Sequence, residues 1–128
     1  MISGTEFMIE DPRMVEAACC WVGPAIASAS EIAEIQAQCE CNQAICLACP
    51  DGMVVIDLRT YGDELEMFVW IAVGFRHGAF ERQEPAMLTI ARELGAETIA
   101  FHSRRRGWGR RLGLEWQRRG IDEFVRKV

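Results

Sequence analysis

Two side chains in apolar stretches of the sequence have the chemistry of an acid–base catalyst. Glu66 lies within the apolar run Leu65 to Val73, and His102 lies near the end of Thr98 to Ser103. A carboxylate accepts a proton once it is ionised, and imidazole changes charge near neutral pH, so either can act as a general base. If the protein is an enzyme, we predict Glu66 and then His102 as its catalytic base, with His77 after them. The alternatives are structural: an exposed strand-edge carboxylate for Glu66 and a hydrogen-bonded histidine for His102.

Four of the six cysteines lie close enough in sequence to raise the question of a metal. Cys39 and Cys41 are two residues apart, and Cys46 and Cys49 are three apart. Tetrahedral zinc sites use spacings of this kind. However, Ala44 to Cys49 has the pattern of a strand, on which residues three apart point to opposite faces. We therefore expect no metal and reduced cysteines that act as small apolar side chains.

Positive charge is concentrated in the last fifth of the chain. Residues 1 to 101 contain five Arg and Lys against sixteen Asp and Glu, whereas residues 102 to 128 contain nine against three. Two interpretations stay open: the arginines pair with the acidic body, or they bind an acidic protein or a nucleic acid. The candidate partner-binding residues are Arg104, Arg105, Arg106, Trp108, Arg110 and Arg111.

Length and composition bound the class of protein. The chain has 128 residues, half of them hydrophobic, which is typical of one globular domain. No apolar run reaches the roughly 18 to 20 residues that a bilayer span needs, and the N-terminus lacks the features of a signal peptide. We expect neither membrane insertion nor secretion. Gly4-Thr5-Glu6-Phe7 resembles the translation of two restriction sites, so we interpret residues 1–7 as a cloning scar and residues 8–128 as the domain.

The N-terminal third predicts two helices. The first opens at Asp11-Pro12, where a capping residue precedes proline, and ends at Gly23-Pro24. The second opens at Ser28, with Glu31 completing a capping-box pattern. Its apolar stripe is formed by Ile32, Ile35 and Cys39.

Strand patterns follow. Ala44 to Cys49 and Met53 to Arg59 flank the turn Pro50-Asp51-Gly52 and predict an antiparallel hairpin. Leu65 to Val73 is almost wholly apolar, which is typical of a central strand covered on both faces.

The second half of the chain predicts a crossover unit. Gly74 to Gln83 is interpreted as a loop, and Glu84-Pro85 as the start of a helix that ends at Gly95. Thr98 to Ser103 then forms a strand parallel to the central one. Arg104 to Leu114 predicts a short helix, and a final strand lies near residues 122–128. The fold class is mixed α/β: two N-terminal helices, an antiparallel hairpin, a central strand, a βαβ crossover, a short helix and a final strand.

This element order, together with the segment from Ala91 to Leu114, resembles the GNAT superfamily of N-acetyltransferases. The likeness is strongest to small divergent members encoded by bacteriophages, in which a strand is followed by an Arg-Gly-Trp motif, here Arg106-Gly107-Trp108. The resemblance implies a cofactor, acetyl-CoA, between two splayed parallel strands, with its pyrophosphate at the start of the following helix. The cofactor residues it implies, if the protein is active, are Val73, Gly74, Arg76, His77, Gly78, Arg82 and Ser103.

The sequence departs from the family pattern at two places. The glycine-rich phosphate motif is absent, and Glu81, Glu84 and Pro85 would oppose phosphate binding through charge and a missing N–H. Counting back from Gly113 puts Ser103 where many family enzymes have Asn, and Gly109 where they have the tyrosine that protonates the leaving thiolate.

These departures lead to two functional hypotheses. The first is a phage-encoded, catalytically degenerate GNAT-like protein without a cofactor, which acts by contact with a host factor or nucleic acid, or as part of the virion. It would lie in the host cytoplasm or in the virion. The second is an acetyl-CoA-dependent N-acyltransferase with an atypical cofactor loop.

Overall fold

Seven strands form one mixed sheet in a computed structural model that describes residues 7–9, 28–74, 78–103 and 108–128. In spatial order the sheet is β1-β2-β3-β4-β5-β7-β6. The strands are β1 (Met8–Ile9), β2 (Ile45–Cys49), β3 (Gly52–Tyr61), β4 (Glu64–Gly74), β5 (Thr98–His102), β6 (Trp116–Arg119) and β7 (Glu123–Lys127). The helices are α1 (Ala29–Glu40), α2 (Ala79–Glu93) and α3 (Trp108–Arg111). The first predicted helix, from Asp11, falls outside the described residues.

The central part of the sheet has the predicted topology. β2 and β3 form an antiparallel hairpin around Asp51, with Cys49 opposite Gly52. β4 pairs antiparallel with β3 and parallel with β5, so it is the central strand of the crossover. The mixed α/β fold class is confirmed.

The two longer helices cover opposite faces of the sheet. α1 begins after Ser28, whose hydroxyl accepts a hydrogen bond from the Glu31 backbone N–H at 3.2 Å, as the capping pattern predicts. Its buried Ile32 and Ile35 pack on one face against residues of β2, β3 and β4. On the other face, Met87 and Ala91 of α2 pack against a second cluster, which contains Val54, Ile56, Met67 and Ile99.

Three boundaries differ from the sequence prediction. α2 begins at Ala79 and not at Pro85, so most of the predicted loop is helix. The short helix after β5 is confined to Trp108–Arg111 among the described residues. Trp116–Arg119 is an additional strand that pairs antiparallel with the predicted final strand.

Candidate active site

A β-bulge in the central strand lies at the level where β4 and β5 stop pairing. Val55 pairs with Ile71 and the next residue, Ile56, pairs with Val69, so Trp70 is an extra residue on β4. Bulges bend a strand and leave the extra residue unpaired. The parallel pairing of β4 with β5 stops at the same level, at Val69 and Phe101. The two strands therefore separate just beyond this pair, where the resemblance predicts the cofactor cleft.

The bulge also changes which face the β4 side chains occupy. Val69 packs with the α2 cluster, whereas Trp70 and Ile71 both pack with the α1 cluster. Residues before the bulge that alternate with Val69, such as Glu66 and Phe68, lie on the α1 side of the sheet. We call the side of the sheet that α1 covers the α1 face and the side that α2 covers the α2 face.

The helix after β4 begins without a side-chain cap. Gly78 is the N-cap residue, with a φ of 77°, and no side chain of the described residues caps the helix there. The first bond within the helix runs from the Arg82 N–H to the Gly78 carbonyl at 3.2 Å, so the N–H groups of Ala79 and Phe80 have no acceptor within the helix. Such a terminus, with its partial positive charge, suits an anion.

The prediction that Glu84 and Pro85 oppose phosphate binding at this terminus changes, because α2 begins at Ala79. Pro85 lies in the second turn, so the N–H that it lacks is not one of the exposed first-turn donors. Glu84 is also in the second turn, and its carboxylate accepts hydrogen bonds from the Arg126 guanidinium at 2.7 Å and the Trp116 ring N–H at 3.3 Å. Only Glu81 lies in the first turn, where it pairs with Arg111 at 3.0 Å.

Arg82, a predicted cofactor contact, is held by the hairpin turn. Its Nε and Nη2 donate to the two carboxylate oxygens of the fully buried Asp51 at 2.5 and 2.8 Å. The hydrogen bonds that Arg82 donates to Asp51 raise the pKa of Arg82 above its ordinary value. A Cβ at Gly52 would overlap the Val73 carbonyl oxygen of β4 and the Gln83 side chain of α2, so glycine lets the turn approach both elements. These contacts position the start of α2 against the end of β4.

An aromatic cluster lies beneath the start of α2. Phe80 contacts Trp108, Phe101 and Trp116, with ring centroids 5.2 to 6.2 Å apart. The Trp108 ring N–H also donates to the Ser103 hydroxyl at 2.8 Å, and the Arg111 guanidinium lies 4.9 Å from the centre of the Trp108 ring. Trp108 and Arg111, predicted to bind a partner, thus have contacts inside the domain.

Glu66, the first predicted base, is fully buried and surrounded by donors. Its two oxygens accept four hydrogen bonds. Two come from the Nη atoms of Arg119 at 2.8 and 2.9 Å, one from the Arg59 Nε at 3.0 Å and one from the Thr98 hydroxyl at 3.1 Å. Burial alone would raise the pKa of Glu66, but these hydrogen bonds outweigh it and lower the pKa. The interpretation of Glu66 as an exposed strand-edge carboxylate is wrong, and a carboxylate with four donors is poorly suited to receive a substrate proton.

A second carboxylate completes this ionic network. Glu123 accepts from Arg119 Nε at 2.8 Å and from Arg59 Nη2 at 2.7 Å. The Arg59 guanidinium lies 3.8 Å from the centre of the Phe68 ring, and that of Arg119 lies 3.7 Å from the centre of the Tyr61 ring. The network fastens the β6–β7 hairpin to β3 and β4. No local sequence pattern reveals it, because its members come from four strands.

His102, the second predicted base, is 53% exposed at the end of β5. Its Nε2 lies 3.9 Å from an Asp122 carboxylate oxygen. Because it follows Phe101, it lies just past the last β4–β5 pair and on the α1 face. The structure therefore places His102 beside the point where the strands separate, four positions beyond the residue opposite Glu66.

Asp57 is a further carboxylate near this point. It pairs with Phe68 on β4, one step from the final β4–β5 pair, and it faces the α1 side like Val55 two residues before it. Its Oδ1 is buried and accepts no hydrogen bond from any described residue. Burial raises the pKa of Asp57, against an opposing effect of Arg59. The sequence signal was an acidic residue inside the apolar strand pattern VVIDL.

The remaining predicted residues divide into two groups. Val73 and Gly74 form the end of β4, and Gly74 lies opposite Gly52. Several other residues fall outside the description, either wholly or in their side chains: Arg76, His77, Arg104, Arg105, Arg106 and Arg110. Within the described part of the chain, no three potential ligands cluster as a metal site, and no helix could span a membrane.

Comparison with solved structures identifies the fold. A chain of the NatC complex, in a crystal structure with a Gag peptide and CoA, superposes with a TM-score of 0.67 at 11% identity, covering 96% of this chain and 98% of that one. The PaiA N-acetyltransferase from Thermoplasma acidophilum, in complex with coenzyme A, gives a TM-score of 0.58 at 10% identity, with the same coverage. No protein-family model and no curated protein sequence matches the chain.

The domain therefore has the fold of the GNAT acetyltransferases. At identities of 10 and 11% the likeness is one of fold. The predicted resemblance is confirmed at that level, and the prediction of a phage origin stays a prediction.

Proposed function

We infer that this protein is an acyl-CoA-dependent N-acyltransferase. The observation that carries the proposal is the helix terminus at Gly78, where the N–H groups of Ala79 and Phe80 have no acceptor within the helix and no described side chain caps the terminus. A pyrophosphate is the kind of ligand that such a terminus binds. The terminus follows β4 directly, and β4 separates from β5 at the Trp70 bulge.

Different parts of the chain would bind the cofactor and activate its acyl group. The first turn of α2 would hold the phosphates, and the β4 backbone beyond the bulge has no β5 partner among the described residues, so its N–H groups can polarise an acyl carbonyl. Acetyl-CoA supplies the thioester that makes the acyl group reactive. Ser103 is oriented by Trp108 at the end of β5.

The rival proposal is a protein that acts by contact alone. Its support is the glycine at position 109, where many family enzymes have a proton-donating tyrosine. Tyr61, the only tyrosine, pairs with Glu64 at the opposite end of β4 from the bulge and lies against Arg119. Under this rival proposal the arginine-rich segment would bind nucleic acid, and such binding would weaken steeply with added salt.

Isothermal titration with acetyl-CoA tests the proposal. Gly78→Asp and Gly78→Asn form a matched pair, because both side chains have the same shape and tolerate a positive φ, while only Asp adds a charge at the anion site. Repulsion between like charges at contact distance is about 1 to 4 kcal/mol, so we expect Asp to weaken binding at least about fivefold relative to Asn.

Two results would contradict the proposal. One is the absence of heat with wild-type protein at millimolar acetyl-CoA, which would favour the contact-only function. The other is equal affinity of the Gly78→Asp and Gly78→Asn variants, which would place the ligand away from this helix terminus.

A further inference from the structure

We propose that Asp57 receives the ammonium group of the acyl acceptor and takes its first proton. This inference rests on the proposed acyltransferase function and assigns the acceptor side of the same site. The substrate class that it implies is a primary amine in its cationic form.

One carboxylate oxygen of Asp57 has no hydrogen-bond donor among the described residues. A buried carboxylate oxygen without a hydrogen bond is rare in folded proteins, because the loss of hydration is not compensated. Oδ1 of Asp57 is in this state among the described residues, although Asp57 is itself only partly buried. A ligand that carries N–H donors and a positive charge would supply the missing partner.

The position of Asp57 fits an acceptor that approaches from the α1 face. Asp57, like Val55, faces α1, whereas the neighbouring Ile56 packs with α2 on the other face. Across the sheet, the row of Asp57, Phe68 and Ala100 immediately precedes the pair at which β4 and β5 separate. An amine held by Asp57 would therefore lie on the α1 face, beside the point where β4 and β5 separate. The start of α2, which would hold the phosphates, belongs to the helix on the opposite face.

Other charged side chains on the neighbouring strands have ionic partners of their own. On β3 and β4, Arg59 and Glu66 bond to each other, and Arg59 acts against the raised pKa of Asp57. Glu123 of β7 is paired with Arg59 and Arg119, and His102 of β5 lies near Asp122. Burial raises the pKa of Asp57, so its carboxylate is a stronger base than an exposed aspartate.

The proton balance is closed by the acyl-CoA substrate. Asp57 takes one proton from R–NH₃⁺ and leaves R–NH₂, whose lone pair forms the N–C bond to the acyl carbonyl. The C–S bond breaks, and the thiolate takes the second proton from the same nitrogen. Asp57 then releases its proton to water, so R–NH₃⁺ and acyl-CoA give the amide, CoA–SH and H⁺.

Asp57→Asn tests the proposal, with Asp63→Asn as the matched control on an exposed carboxylate of the β3–β4 turn. Acyl transfer is measured by chromatography of CoA, with acetyl-CoA as donor and three acceptors in separate arms: spermidine, a mixture of short peptides with free N-termini, and water alone. We expect Asp57→Asn to lower the rate about 10²- to 10⁴-fold, the usual contribution of a general base, and Asp63→Asn to leave it unchanged. The affinity for acetyl-CoA should stay the same in both variants.

Two further readouts do not depend on turnover. The carboxyl carbon of Asp57, assigned by its absence from the ¹³C spectrum of Asp57→Asn, should titrate above the ordinary aspartate value of 3.8. The same variant should unfold at a higher denaturant concentration than wild type, since an amide replaces an unpartnered buried anion. An ordinary titration together with unchanged stability would overturn the proposal.

The kinetic outcomes separate the two levels of inference. If wild type binds acetyl-CoA and Asp57→Asn transfers at the wild-type rate, or His102→Gln alone loses the activity, Asp57 is not the base and the acyltransferase function stands. If wild type binds acetyl-CoA but transfers to none of the three acceptors, the role of Asp57 is rejected. If wild type does not bind acetyl-CoA, both proposals fall.

Discussion

Glu66 and Asp57 lie on neighbouring strands and face the same side of the sheet, yet their carboxylates have opposite surroundings. Glu66 is fully buried and accepts four hydrogen bonds, three of them from guanidinium groups. Asp57 is partly buried, and its Oδ1 accepts none from the described residues. The difference separates a carboxylate that stabilises the fold from one that is available to a ligand.

The first test of this contrast removes the charge of Glu66. Glu66→Gln leaves the guanidinium groups of Arg59 and Arg119 without their buried partner, and breaking one side of a buried ion pair typically lowers the free energy of unfolding by about 3 to 5 kcal/mol. Glu64→Gln, two residues earlier on the exposed part of the same strand, should change it by less than about 0.5 kcal/mol. Urea unfolding of both variants measures the difference, and equal losses would contradict the structural role of Glu66.

Acidification should distinguish the same two carboxylates by the sign of their effect. Hydrogen bonds lower the pKa of Glu66 and of Glu123 below the ordinary value of 4.5, so the stability that they contribute is present above pH 4.5 and is lost as the pH falls through their folded values. Asp57 acts in the opposite direction, because its raised pKa favours protonation in the folded state.

The measurement is the free energy of unfolding in urea between neutral and acidic pH. Wild type should lose stability below pH 4.5, and Glu66→Gln should show a shallower loss because it no longer carries one of the two lowered groups. Asp57→Asn should show a steeper relative loss, since it lacks the group that gains from protonation. Identical slopes for the three proteins would contradict the assignment.

Local sequence patterns predicted the elements whose signals are contained within a few residues. Pro50-Asp51-Gly52 marked the hairpin turn, and Ser28 marked the start of α1. The continuous apolar run of β4 identified the central strand, because both of its faces are covered by packed clusters. In each case the structure needs only the turn chemistry or the periodicity that the residues themselves display.

The start of α2 could not be read locally because long-range contacts determine it. Proline usually marks the first helical position, which led to a predicted start at Pro85. In the structure the turn before it is held by the Asp51–Arg82 pair and by packing of Phe80 on Trp108, partners 31 and 28 positions away. Those contacts compensate for an unfavourable proline in the second turn.

The candidate site was only partly predictable for the same reason. Periodicity placed His102 near the end of a strand, and in the structure it is the last residue of β5. No pattern in Trp116–Arg119 showed that Arg119 would reach Glu66, 53 positions earlier, and thereby remove Glu66 from the set of available bases. Asp57 becomes a candidate only in the structure, where its Oδ1 has no described hydrogen-bond donor while the Glu66 carboxylate has four.

The smallest expected effect tests how the four donors share the Glu66 carboxylate. Thr98→Val keeps the shape of the side chain and removes the hydroxyl that donates to Oε1 at 3.1 Å. One hydrogen bond to a buried group contributes about 1 kcal/mol, so the free energy of unfolding should fall by that amount, well short of the Glu66→Gln loss. Thr60→Val, at an exposed position of β3, is the control and should be nearly neutral. A double variant with Glu66→Gln should lose less than the sum of the two single changes, because the Thr98 hydroxyl bonds more weakly to the neutral amide oxygen of Gln than to the carboxylate. Full additivity in that cycle would mean that Thr98 acts independently of Glu66.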